Sequence, residues 1–360
     1  MEAQSSSNKS LAENGEVHSQ SDANMLRVLK AGQNIVKEEI AKHFDIKSLP
    51  SSAKSIRIVD VGCFYGSTTV HAMNNVMDAI KSKYQSEGLE NQVPEFEVFF
   101  NDLESNNFNA LFKFLPPNRD YFAAALPASF FNPILPKQSL HVVHSSNSLN
   151  WLSEIPKEIT DSSSPAWNKG KIHYTNAQKE VVEAYSAQYA KDLQSFLRAR
   201  AHDVAVGGLM ALLVPSVPEI HLSSETVTCL DFVIFGDCMM DMAKEGIINE
   251  EQVDSFNLGF YFSCPKELKE IIERNGEFSI ESMAKLDRPT SNAVPLEKRA
   301  FILRAGLEGF FKRHFGSDEV VDEIFDRYSK KVLTSLLHLR PDTQKMAFVF
   351  ILLKRKPLIN

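Results

Sequence analysis

The stretch Ser55–Thr69, S-I-R-I-V-D-V-G-C-F-Y-G-S-T-T, constrains the fold more than any other part of the chain. Ile56, Ile58, Val59 and Val61 make a short β-branched run broken only by Arg57, the pattern of a buried parallel strand. Asp60 falls near its end, Gly62 and Gly66 follow, and Ser67, Thr68 and Thr69 are placed to open a helix. Glycine lets a backbone turn sharply and approach a ligand closely. Strand, glycine turn and helix form the opening of a doubly wound sheet, where a nucleotide-like ligand lies across the carboxyl ends of the strands. The spacing is G-x-x-x-G, not the G-x-G-x-x-G dinucleotide fingerprint, and no Gly-Lys-Ser/Thr follows to make a P-loop. A strand–turn–helix without any ligand has the same pattern, so a second landmark is needed. Residues 96–103, F-E-V-F-F-N-D-L, supply it: a second buried strand ends at Asp102. An acid there is placed to take both hydroxyls of a ribose. With a helix over about 69–84 between them, the two strands read as one right-handed βαβ unit.

Composition narrows the class. A chain of 360 residues with 43% hydrophobic and 24% charged residues suits one large globular domain, or one domain with a substantial cap. Net charge is −7 and the basic residues are scattered, which argues against a nucleic-acid partner. Cys63, Cys229, Cys238 and Cys264 show neither CxxC pairing nor zinc spacing and suit reduced, buried thiols of a cytoplasmic protein. No apolar run approaches the ~20 residues of a membrane span. The polar start lacks the basic and apolar segments of a signal peptide, so residues 1–14 are expected to be a disordered tail.

Along the chain, apolar residues at helical spacing (Met25, Leu26, Leu29, Ile35, Val36, Ile40) predict a helix over 24–43 across the ligand cleft, with a break at Gly32. Residues 85–94 read as a loop and 108–115 as a short helix stopped by Pro116-Pro117. The Phe-, Ala- and Pro-rich segment 121–136 reads as irregular, and 140–145 as the next strand. A long helix over 177–203 is ended by Gly207-Gly208, which open a strand at 209–214. Residues 219–288 and 297–338 read as mainly helical, and A-F-V-F-I-L-L-K-R at 347–355 as a strand able to complete the sheet. The expected organisation is an α/β core over 15–218, a mostly helical cap over 219–338, and a C-terminal segment, 339–360, that returns to the core.

Several segments together resemble one family. D-V-G-C at 60–63 lies within the D-x-G-x-x-x-G of methyltransferases that use S-adenosylmethionine. F-F-N-D-L at 99–103, F-N-A-L-F at 108–112, P-A-S-F-F at 127–131 and S-S-N-S-L-N-W-L at 145–152 follow. Then come I-P-K-E, W-N-K-G-K-I at 167–172, F-L-R-A-R-A at 196–201 before G-G-L, and V-D-S-F-N-L at 253–258. In this order and over nearly the whole chain they resemble the plant salicylate/benzoate/theobromine-synthase (SABATH) family, which methylates carboxyl groups of small acids and sometimes ring nitrogens. The resemblance implies a Rossmann-like methyltransferase sheet with a helical cap, S-adenosylmethionine as cofactor, a homodimer, and a small-molecule acid as substrate. It places Cys63, Thr68, Asp102, Leu103, Ser129 and Phe130 at the cofactor, with Asp102 on the ribose and Leu103, Ser129 and Phe130 near the adenine. Trp151 would point its indole N–H at the substrate carboxylate, beside Asn147 and Asn150. In some members Asn168, Asp254, Phe256 and Asn257 hold a magnesium ion, the Phe through its carbonyl.

The departures fall at the cofactor and substrate. The family's G-C-S-S-G-P-N-T is here Gly62-Cys63-Phe64-Tyr65-Gly66-Ser67-Thr68-Thr69, so two aromatics stand where small residues are usual, and partial obstruction of the cofactor turn is expected. Near the N-terminus, Gln20 replaces a tyrosine at the methyl-sulfur centre and Arg27 a glutamine that pairs with Trp151; Asn147 stands where an aromatic is common. Three readings follow. The first is a carboxyl methyltransferase with an altered substrate, in which Gln20, Arg27 and Trp151 position a carboxylate for direct attack, with catalysis by positioning and desolvation. An Arg grips a carboxylate more firmly than a Gln does. The second is a recruited member that cyclises or isomerises a small terpenoid carbonyl compound, with Arg27, Gln20 and Trp151 as donors to its oxygen. The third is a binding protein that uses the same pocket.

Overall fold

The run after Ser55 is β1 (Ser55–Val61), and it lies inside the sheet with every residue from Ile58 onward buried. Burial on both faces removes the alternation that an exposed strand would show. The structure, a computed structural model, describes residues 30 and 32–49, 54–218, 226–286, 296–335 and 347–357. From β1 the chain passes through α2 (Ser67–Ser86) to β2 (Glu95–Asp102), parallel to β1 with Val61 opposite Asn101. After α3 (Phe108–Phe114), β3 (Tyr121–Pro127) adds in parallel to β2. The chain then crosses to the other side of β1. There β4 (Leu140–Ser146) pairs with β1, and α4 (Lys179–Asp203) leads to β5 (Val204–Ser216), parallel to β4. The strand order therefore reverses between β1 and β4, which opens a crevice at their carboxyl ends.

The sheet is closed by β7 (Ala347–Arg355), antiparallel to β5, with β6 (Phe278–Leu286) outside it, giving the order β3-β2-β1-β4-β5-β7-β6. The C-terminal strand thus completes the core sheet, as expected. One face carries α2, α3 and a helix over 32–43, α1, whose Val36 and Ile40 join Phe44 in the core. The other face carries α4 and α7 (Pro265–Asn275). A third apolar cluster gathers α5 (Val227–Lys244), α6 (Glu250–Asp254), α8 (Leu296–Phe315) and α9 (Asp318–Thr334) around Phe235, Phe311, Phe325 and Tyr328. Its polar centre is Asp231, held by Arg299 and by the Tyr328 hydroxyl at 2.7 Å.

Four details depart from the sequence pattern. Gly32 does not break α1: a Cβ there would stand 3.0 Å from Leu213 and Leu286 side chains, so the glycine lets the helix lie close on the sheet. Tyr121–Pro127 is a strand, paired with β2 along its length, although as an edge strand it leaves Phe122 62% exposed. Phe278–Leu286, inside the segment read as mainly helical, is a strand whose side chains are mostly half-buried, which erases any period of two. The Gly207-Gly208 pair lies within β5, where the pairing with β4 shifts register, and so marks a bulge, not a helix end. Residues 1–14, Gln20 and Arg27 lie outside the described residues.

Candidate active site

The site is built on the turn after β1. The N–H groups of Gly62 and Cys63 both donate to the Asn101 carbonyl at the end of β2, at 2.8 and 3.0 Å. The Ser148 hydroxyl donates to the Gly62 carbonyl at 2.9 Å. Gly62 has φ of 71°, and a Cβ there would stand 2.2 Å from that hydroxyl, so no other residue fits. Beneath the turn Asp60 is buried, receives the Thr69 hydroxyl and pairs with His144 Nδ1 at 2.7 Å. Ser145 donates to the Val61 carbonyl at 2.9 Å. These bonds lock the end of β1, the first turn of α2 and the end of β4 together. Thr68 is buried in that first turn. Burial pushes the Cys63 thiol far up, and Asp60 and Asp102 push it further, so it stays protonated.

Asp102 closes the second edge. One oxygen accepts the Phe64 N–H and the other the Leu103 N–H, both at 2.8 Å. Burial raises its carboxyl above the usual range, and the two N–H bonds oppose that shift. Leu103 is 54% exposed beside it. The two aromatic departures separate: Tyr65 is half-buried against the core face that carries α2, while Phe64, stacked on it at 4.0 Å, is 45% exposed. The third edge is the segment after β3. Asn101 Nδ2 donates to the carbonyls of Leu126 and Ala128, each at 2.8 Å. Arg200, fully buried, donates to the carbonyls of Phe130 and Asn132 at 3.0 and 2.8 Å and pairs with Asp203 at 2.7 Å. Asp203 in turn accepts the Ile134 N–H at 3.1 Å. The Phe130 ring comes within 3.8 Å of where a Gly62 Cβ would stand. The glycine turn with Cys63, the Asp102–Leu103 strand end and the segment carrying Phe130 therefore come together at the carboxyl ends of β1 and β2, beside the point where the strand order reverses.

On the cap side, Asn147 follows β4 at φ of 58°, a backbone region that Asn tolerates better than most residues, and its N–H donates to Leu213 O at 2.9 Å. Asn150 is buried, and its Oδ1 has no partner among the described residues. Trp151 pairs with Phe260 as an isolated bridge, ring to ring at 3.8 Å, and stacks on Phe310 of α8 at 5.1 Å and 17°. His173 donates from Nε2 to the Phe260 carbonyl at 3.1 Å and accepts the Thr175 hydroxyl at Nδ1, 2.7 Å. Burial lowers it to about 3, so it is neutral and holds the segment at Phe260 in place.

Of the four residues expected around magnesium, Asn168 and Asn257 are in contact. Asn168 Nδ2 donates to Asn257 Oδ1 at 2.7 Å, and Asp254 accepts the Gly170 N–H at 2.7 Å, two residues from Phe256. Asn168 Oδ1 is buried without a partner among the described residues, an oxygen of the kind a hard cation takes. No group of three or more His, Cys, Asp and Glu able to hold a metal occurs among the described residues.

A family model described as "SAM dependent carboxyl methyltransferase" matches residues 8–356. The chain belongs to that family. Loganic acid O-methyltransferase of Catharanthus roseus is 39% identical over 344 residues, 94% of this chain and 91% of the relative. Farnesoic acid carboxyl-O-methyltransferase of Arabidopsis thaliana is 38% identical over 87% of this chain and 90% of the relative. The solved structure "Loganic acid methyltransferase with SAH" superposes with a TM-score of 0.88 at 39% identity, covering 94% of this chain and 96% of that one. The protein is a plant-type S-adenosylmethionine-dependent carboxyl methyltransferase. The supporting residues His144, Ser148, Phe260, Phe310 and Arg200 carried no role in the sequence. Arg200 lay inside a quoted motif, and only its burial beside Asp203 shows what it does.

Proposed function

We propose that this methyltransferase esterifies the carboxylate of a small, largely apolar plant acid, with an iridoid or other terpenoid acid as first choice and an aromatic acid as second. The reading is carried by Trp151. Its indole is fixed between Phe260 and Phe310, at the junction of cap and sheet, in an apolar setting where one N–H can orient a carboxylate. Support for the acid class comes from relatives named for loganic and farnesoic acids. The rearrangement reading finds no support in either the fold or the relatives.

The bound donor supplies a sulfonium methyl group. Asp102 would hold the ribose hydroxyls, and Leu103, Ser129 and Phe130 would border the adenine. Cys63 and Thr68 line the turn. Trp151, with Arg27 and Gln20, orients the acceptor carboxylate, flanked by Asn147 and Asn150. A carboxylate is already ionised at neutral pH, so the residues need only position it and exclude water. Asn168, Asp254, Phe256 and Asn257 would hold a magnesium ion that braces the cap rather than joins the chemistry. The reading includes a homodimer in the cytoplasm. Among the described residues, no helix is long and apolar enough to cross a membrane.

The test is a panel of iridoid, sesquiterpenoid and aromatic acids, each beside its primary amide, with methylated product read by mass spectrometry. Methyl esters from at least one acid class, and nothing from the matched amides, are expected. Methylation of amides, or of ring nitrogens only, would overturn the carboxylate assignment.

A further inference from the structure

Phe64 is the most unusual residue at the crevice. Its φ is 56°, a left-handed backbone that Gly or Asn adopts more readily than an aromatic residue. Side chains hold it there from both sides: Asp102 takes its N–H at 2.8 Å, and Asn106 Nδ2 donates to its carbonyl at 2.9 Å. The ring is not core, since 45% of the residue stays exposed. Its partner Tyr65 supplies the packing into the core. A smaller residue would satisfy the same two backbone bonds with less strain, so the fold itself gives no reason for the ring. Strain of this kind at a ligand cleft points to use by the ligand.

The location says which ligand part. Asp102 takes one N–H on each oxygen, from Phe64 and from Leu103, and these two residues both expose large apolar side chains. The carboxylate is thereby framed by two apolar groups. Building on the donor site proposed above, we propose that Phe64 is a donor-binding residue: its ring and Leu103 form an apolar clamp on the adenosine half of S-adenosylmethionine, held open by the shared carboxylate. This reverses the obstruction expected from the size of the side chain. An aromatic face packs on a sugar or purine face and shields the ribose–Asp102 bonds from water, which strengthens them.

Titration calorimetry with S-adenosylhomocysteine on the full chain decides it, using Phe64→Ala, Phe64→Gly and Phe64→Trp. The Ala and Gly variants should bind about tenfold more weakly, about 1.4 kcal/mol, while Phe64→Trp stays within about threefold of the unsubstituted protein. Melting temperatures should not fall in Phe64→Gly, because glycine suits the backbone; that variant guards against misfolding as the cause of lost binding. Equal or tighter binding by Ala and Gly overturns the clamp and restores obstruction. Absence of binding by the unsubstituted protein overturns the donor site itself, and the clamp with it.

Discussion

Replacing Asp102 by Ala separates the carboxylate's two tasks. In the protein its oxygens accept the N–H groups of Phe64 and Leu103, both at 2.8 Å. Both of those residues are exposed, so water can take over each bond, and the folding cost is about 1 kcal/mol. Relief of a carboxylate that burial pushes up offsets part of that cost. The melting temperature should therefore fall by no more than about 4 °C. The donor loses much more. Two ribose hydroxyls on one carboxylate are charge-assisted bonds of about 1.5–3 kcal/mol each, so S-adenosylhomocysteine affinity should drop roughly 10²–10⁴-fold. Titration calorimetry at neutral pH, paired with a thermal melt, reads both quantities. A folded variant whose affinity stays within about fivefold of the parent would refute the placement of the ribose on Asp102. Because burial raises this carboxyl, affinity in the parent should also decline on acidification earlier than an ordinary Asp would cause.

Three further outcomes are expected. Arg200→Ala strands Asp203 in a fully buried position and frees the carbonyls of Phe130 and Asn132. It should cost about 3–5 kcal/mol in denaturant unfolding, and a loss under 1 kcal/mol would show that the pair is not structural. His173 is lowered by burial from 6.5 to about 3, so below pH 6.5 the unfolded chain takes up a proton that the folded chain refuses. Stability is then full above that pH and falls steadily towards pH 3; His71 and His141, also lowered by burial, add in the same direction. Melts of His173→Gln across this window should show a shallower slope, and an unchanged slope would remove His173 from the account. Trp151→Phe keeps an aromatic ring between Phe260 and Phe310 but removes the N–H. It should lower kcat/KM for the acid by ~10–100-fold with donor affinity intact, as expected for one bond to a charged group; equal kcat/KM would exclude the indole as carboxylate donor.

The legible parts of the fold were those buried on both faces. The apolar runs at β1, β4 and β7 are buried almost throughout and admit only interior strands, while β2 was legible from its alternating apolar residues and the acid at its end. The edge strands β3 and β6 were not legible. The first is rich in Ala and half-covered, and the second is half-buried almost throughout, so neither carries a period of two. Gly32 and the Gly207-Gly208 pair looked like breaks because a sequence does not show what approaches a glycine; here Leu213, Leu286 and the β4 backbone do. At the site, Asp102, Leu103 and Trp151 stood out by residue type and motif. The directions of Phe64 and Tyr65 did not, because strand alternation stops at Gly62, where φ turns positive. The pinning of the 128–134 segment by Arg200 and Asp203 was equally hidden, since it depends on a helix and a loop some 70 residues apart meeting in space.

The central claim is that the Asp102 crevice delivers a methyl group to a carboxylate brought up beside Trp151. Incubating the protein with S-adenosylmethionine carrying a deuterated methyl group and with the best acid of the panel tests it most directly. Each molecule of acid consumed should appear as one ester bearing the labelled methyl, with one S-adenosylhomocysteine released. An acid that is returned unchanged or rearranged without label, while the donor stays intact, would contradict the account.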